Sequence, residues 1–275
     1  MPLDQPTFPG ERLITLIGPG RILTSAFATN PAAALDDDPE TFASFGEEVV
    51  VVTPGEGQAL DVVYLIDRSG SMEDEFSEGT RMDAAVAAIL AANQTLAVPD
   101  NDSRVGIVSF GAGGIAFGNL DTQVEAELTD DFEYLTAVLE SLLPVGTSPT
   151  REGLLAARAL LEARSDTSRA AVLFLLTDGV PDNENGARTA AASLKAAHPD
   201  WKLIAIAAHA KDDPTVSADV TTFLTYIGST VGDGFLSAGN PAALTSALSG
   251  KLTAVSAAAI DAAAENDTDT PVPSS

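Results

Sequence analysis

One carboxylate and two hydroxyls stand at alternate positions in Asp67-Arg68-Ser69-Gly70-Ser71-Met72, directly after the apolar run Ala-Leu-Asp-Val-Val-Tyr-Leu-Ile at 59–66. Residues two apart in an extended segment point the same way, so Asp67, Ser69 and Ser71 can converge on one point. Hard oxygen donors carrying little negative charge suit a small divalent cation such as Mg2+, with Mn2+ or Ca2+ as alternatives. Two further stretches offer donors of the same kind. One is Val145-Gly146-Thr147-Ser148-Pro149-Thr150, which leads into a helical pattern. The other is Thr177-Asp178-Gly179, which follows Ala-Ala-Val-Leu-Phe-Leu-Leu at 170–176.

The elements that must position these loops are legible from 59 onward. Helical patterns at 80–97, 132–143, 150–164, 184–197, 220–229 and 241–264 separate strand patterns at 59–66, 104–110, 170–176, 203–208 and 234–237. Residues 115–128 alternate more weakly and read as an edge strand or hairpin. A continuous apolar run such as 170–176 is what a strand covered on both faces requires. Strands alternating with helices predict an α/β fold: a doubly wound, mostly parallel sheet with helices on both faces. In such a sheet ligands bind beyond the carboxyl ends of the strands, where the strand order reverses. Asp67 and Asp178 face one another there if their strands are neighbours.

Residues 1–58 differ. Short strand patterns at 13–17, 21–27 and 48–53, broken by Gly-Pro-Gly and Asp36-Asp37-Asp38-Pro39, read as a β-rich N-terminal extension and a possible assembly anchor. The domain proper is expected over 59–265, and 266–275 reads as a loose polar tail.

Composition excludes several functions. The 275 residues contain no cysteine, so disulfides, thiolate metal sites and cysteine nucleophiles are out. Asp and Glu outnumber Lys and Arg 40 to 14, for a formal charge of −26. That charge argues against nucleic acid and anionic membrane surfaces as partners. With an apolar fraction of 45%, the acidity fits a folded protein in a high-salt setting rather than a disordered chain. No run reaches the roughly 18 uninterrupted apolar residues of a membrane span. The first ten residues lack the basic start of a signal peptide, which leaves a cytoplasmic location or a place in a virion or surface assembly.

With three loops in agreement, the stretch 59–265 resembles the von Willebrand factor A family, also called the integrin I-domain fold. That family carries a metal-ion-dependent adhesion site: Asp-x-Ser-x-Ser on a first loop, Thr on a second, Asp on a third. The first motif is matched at Asp67, Ser69 and Ser71, and the third at Asp178. The resemblance implies that Ser69 and Ser71 coordinate the metal directly. It implies that Asp67 and Asp178 bind it directly or through water, and that one position stays open for an Asp or Glu carboxylate of a partner protein. The second loop leaves two candidates. Counting back from Gly153-Leu154 selects Ser148, whereas residue identity selects Thr147; the latter is slightly preferred and both are kept.

The expected function is therefore a metal-dependent protein-binding or adhesion module and not an enzyme. A metal-assisted phosphohydrolase with Asp67 as nucleophile is the competing class. It would want a second carboxylate at position 69 and a nearby lysine, and Lys195, Lys202, Lys211 and Lys251 all lie off the three loops. A third class is a structural virion or surface component assembled through 1–58. The acids Glu73, Asp74, Glu75 and Glu78 read first as a solvated surface and second as another cation site. Gly111-Ala112-Gly113-Gly114 lacks the following helix that a dinucleotide fingerprint needs. His198 and His209 read as structural or exposed, and Trp201 as packed under a helix.

Overall fold

The computed structural model describes residues 59–77, 79–98, 101–111, 122–179, 181–208, 218–229 and 234–267, with side chains up to Ser256. All of these fall in the compact unit Pro54–Ser275. The expected strands within 1–58, His209 and Glu78 lie outside the described residues.

Six strands, β1 (Leu60–Asp67), β2 (Arg104–Phe110), β3 (Thr122–Thr129), β4 (Ala170–Thr177), β5 (Lys202–Ala208) and β6 (Phe235–Ala238), form one sheet in the order β3-β2-β1-β4-β5-β6. Only β3 runs antiparallel; every other neighbouring pair is parallel. The chain leaves β1 towards β2 on one side and later returns to place β4 on the other. The strand order therefore reverses between β1 and β4, and a crevice opens beyond their carboxyl ends.

Alternation along β1 splits the core into two layers. Leu60, Val62, Tyr64 and Ile66 pack with one set of helices, while Val63 and Leu65 pack with the other. The first layer is covered by α1 (Arg81–Leu96), α2 (Phe132–Glu140) and α6 (Pro241–Asp267), through Ile89, Leu135, Leu244 and Leu248. The second is covered by α3 (Thr150–Glu162), α4 (Glu184–Ala197) and α5 (Ala218–Ile227), through Leu154, Leu161, Leu194 and Phe223. Both faces are thus helical, and β4 is buried along nearly its whole length.

Two boundaries differ from the sequence reading. The helix expected over 132–143 stops at Glu140. The Ser141 hydroxyl donates to the Val138 carbonyl at 2.7 Å, and the residue before Pro144 disfavours helical backbone. The last helix runs on to Asp267, into the stretch expected to be loose. An alanine-rich sequence with no glycine or proline between Lys251 and Asp267 has nothing to stop it. Residue 268 onward lies outside the described residues.

The end of the sheet opposite the crevice is tied by charge. Asp61, fully buried at the start of β1, accepts from Arg104 Nε and Nη2, each at 2.9 Å, and from Arg164 Nη1 at 3.3 Å. Arg164 lies 5.4 Å over the Trp201 ring, against which His198 stacks at 3.8 Å. The His198 Nε2 meets Glu162 at 2.8 Å, which gives that histidine a structural place.

Candidate metal centre

The register of β1 against β4 pairs Ile66 with Leu176, so Asp67 and Thr177 end neighbouring strands side by side. After Asp67 the chain forms a single 3-10 turn, Gly70–Glu73, pinned by the fully buried Met72 in the core under α1. The loop after α2 is pulled against it. Arg68 N–H donates to the Phe110 carbonyl at 2.8 Å, Gly70 N–H donates to the Gly146 carbonyl at 2.8 Å, and Val145 N–H donates to the Arg68 carbonyl. Gly146 sits at φ 73°, backbone that favours glycine, and this turn sets which following side chain enters the crevice. The loop after β4 is tied to the same neighbour. Ser148 N–H donates to Asp182 Oδ2 and Asp182 N–H to the Ser148 carbonyl, both at 3.1 Å.

Asp67 is the hub. Fully buried, it accepts from Ser69 N–H at 2.8 Å on Oδ1, and from the hydroxyls of Thr177 at 2.6 Å and Ser148 at 3.0 Å on Oδ2. Burial pushes its carboxyl up to about 6; the Thr177 bond opposes that shift and the negative Asp178 adds to it. The Ser69 and Ser71 hydroxyls lie 3.1 Å apart, and Ser71 donates to Asp178 Oδ1 at 3.0 Å. Asp178 Oδ2 accepts from Arg81 Nη1 at 2.6 Å.

The structure thus gathers Asp67, Ser69, Ser71, Ser148 and Asp178 in one cluster. Thr147, the slightly preferred of the two second-loop candidates, is exposed, and it is the Ser148 hydroxyl that reaches Asp67. Thr177, part of the third donor stretch in the sequence, has its hydroxyl bound to Asp67. Two participants escape sequence reasoning. Arg81 is the first residue of α1, and Asp182 lies beyond the third motif. No spacing rule in the sequence points to either.

The donor set can be tested against a metal on geometry alone. At metal–oxygen distances of about 2.1 Å, neighbouring ligands of an octahedron lie about 3.0 Å apart. The Ser69–Ser71, Ser71–Asp178 and Ser148–Asp67 oxygen separations of 3.1, 3.0 and 3.0 Å match that spacing. Three hydroxyls and two carboxylates are the hard, oxygen-only donors that Mg2+ or Mn2+ takes. Among the described residues no group of three or more His, Cys, Asp or Glu is placed to hold a metal. This cluster differs from such a group because its majority ligands are neutral.

Comparisons with known proteins agree with this architecture. Residues 62–180 match the family model described as the von Willebrand factor type A domain. The pilus adhesin SpaC from Lactobacillus rhamnosus GG, in its open conformation, is 17% identical at a TM-score of 0.58, over 72% of this chain and 30% of that one. The vWF domain of the type V pili tip protein Mfa5 from Porphyromonas gingivalis is 14% identical at a TM-score of 0.57, over 72% and 95%. The PilB minor pilin from Streptococcus sanguinis is 16% identical at a TM-score of 0.58, over 74% and 63%. The chain therefore spans less than a third of the SpaC structure. No curated protein matches it by sequence. Among the described residues no helix is long and apolar enough to cross a membrane. The sequence match, which spans all three loops, identifies residues 62–180 as von Willebrand factor type A sequence, and the solved structures share the fold.

Proposed function

We propose that the domain is a protein-binding, adhesive module. It holds a divalent cation, Mg2+ first, between Ser69, Ser71, Ser148, Asp67 and Asp178, and presents it to an exposed Asp or Glu carboxylate of a partner. The observation that carries this reading is the convergence of three loops on oxygen spacings of 3.0–3.1 Å with only two carboxylates among the donors. With only two carboxylates among its donors, the ligand set does no more than balance a divalent cation, so an open position can still attract an outside carboxylate where water is partly excluded.

A role without catalysis is supported by the rim itself. Ser69 stands where phosphohydrolase chemistry would want a second carboxylate. Of the described lysines, Lys195 is engaged with the carbonyls of Tyr226 and Gly228, Lys202 starts β5 at the opposite end of the sheet, and Lys251 lies within α6, off the three loops. Similarity to pilus proteins supports a place in a surface assembly, with residues 1–58 as the candidate anchoring segment. The −26 charge supports a high-salt setting, where counter-ions screen repulsion between acidic surfaces.

Titration calorimetry with Mg2+ tests the metal reading. The wild-type chain binds one ion, and Ser69→Ala weakens binding by roughly tenfold or more while circular dichroism stays unchanged. Equal affinity in the two proteins would remove Ser69 from the site.

A further inference from the structure

Arg81 is the one cation hydrogen-bonded to the cluster among the described residues, and its placement is specific. It is the first residue of α1, following Thr80, whose hydroxyl and Asp83 form a reciprocal capping box. Its side chain is 13% exposed, and Nη1 reaches three oxygens: Asp178 Oδ2 at 2.6 Å, the Ser71 carbonyl at 3.3 Å and Asp74 Oδ2 at 3.3 Å. Asp74 is 63% exposed and screened by water, whereas Asp178 is 3% exposed, so the Asp178 contact dominates. The two Asp178 oxygens are thus divided. Oδ1 faces the Ser71 hydroxyl within the candidate centre, and Oδ2 is turned outward into the guanidinium.

The charge count gives this division a consequence. Asp67 and Asp178 contribute two negative charges, Arg81 one positive charge, and the hydroxyls none. A divalent cation added to that set leaves a net single positive charge. Without Arg81 the loaded set would be neutral. A guanidinium this close opposes entry of the metal and favours arrival of an anion once the metal is in.

We infer that Arg81 is a positioning and charge-setting residue that lowers the affinity of the centre for its cation and raises the affinity of the loaded centre for a carboxylate. The inference rests on the metal-binding reading above. It assigns to a helix residue, outside the three loops, control over the balance between holding the metal and capturing the partner. Arginine suits the role because it stays charged at any working pH and fixes the carboxylate orientation through directed N–H groups.

The test uses the full chain with Arg81→Met, Arg81→Gln and Arg81→Lys. Two quantities are measured: Mg2+ affinity by calorimetry, and affinity of the Mn2+-loaded protein for 13C-acetate by nuclear relaxation. Removing the charge in Met or Gln tightens Mg2+ binding by roughly tenfold and weakens acetate binding by a similar factor, whereas Lys stays within about threefold of wild type in both. A merely structural clamp would weaken metal binding when cut and could not tighten it. Unchanged or weaker Mg2+ binding in whichever neutral variant folds overturns the inference while leaving the metal site standing. Absence of Mg2+ binding in the wild-type chain overturns both together. Gln retains a donor for Asp178, so its fold is protected if Met perturbs the loop.

Discussion

Replacing Asp67 by Asn in the metal-free protein separates the cost of its burial from its role as a ligand. The Asp67 carboxyl moves from 3.8 to about 6 on folding, chiefly through burial. The folded state therefore holds its proton more tightly than the unfolded state. Stability from the protonated group is complete below about pH 4 and is lost as pH rises through 6. The displacement corresponds to about 3 kcal/mol, of which about 2 kcal/mol is expressed between about pH 4.5 and 7. Asn removes the titration, so the stability of Asp67→Asn minus that of wild type grows by about 2 kcal/mol over this range. Urea unfolding in metal-free buffer at several pH values measures it. Saturating Mg2+ then reverses the order at neutral pH, because a ligand that binds only the folded state stabilises wild type and not the variant. Parallel pH profiles for the two proteins, or no reversal with Mg2+, would refute the placement of Asp67 as a buried hub whose charge a cation offsets.

Other substitutions separate the loops. Ser148→Ala weakens Mg2+ affinity by roughly tenfold or more while Thr147→Ala changes it less than about twofold, as calorimetry would report; the opposite ranking would return Thr147 to the centre. Gly111→Ala places a Cβ 2.8 Å from the Val145 carbonyl oxygen and 2.7 Å from Arg68 Cγ. Forcing the first two loops apart costs about 1–3 kcal/mol in urea unfolding and also weakens Mg2+ binding. Asp61→Ala leaves the Arg104 and Arg164 guanidinium groups without their buried partner and costs about 3–5 kcal/mol. That change lies at the far end of β1, so Mg2+ affinity of the folded fraction stays at the wild-type value.

The sheet was readable because its strands are continuous apolar runs. Burial on both faces demands that pattern, and β1 and β4 show it most plainly. The edge was less so: β3 has exposed positions on both sides of its alternation and a register irregularity opposite Ile107, which leaves a weak period. At the site, Asp67, Ser69, Ser71 and Asp178 were legible because each is fixed by its distance from a strand end. The second loop was not. Whether Thr147 or Ser148 turns inward depends on the left-handed backbone at Gly146, which its residue type permits but does not dictate, and on the bonds between Ser148 and Asp182, which only the tertiary structure sets. Arg81 was hidden for a related reason. Its approach to Asp178 depends on the start of α1 lying against the third loop, a tertiary fact with no sequence period.

The most direct test is a crystal structure grown with Mn2+ and measured at the manganese absorption edge. The account predicts one anomalous peak at about 2.2 Å from Ser69 Oγ and Ser71 Oγ, on the side shared with Ser148 and Asp178. A map with no peak there, or with its peak on Glu73, Asp74 and Glu75 instead, would contradict it.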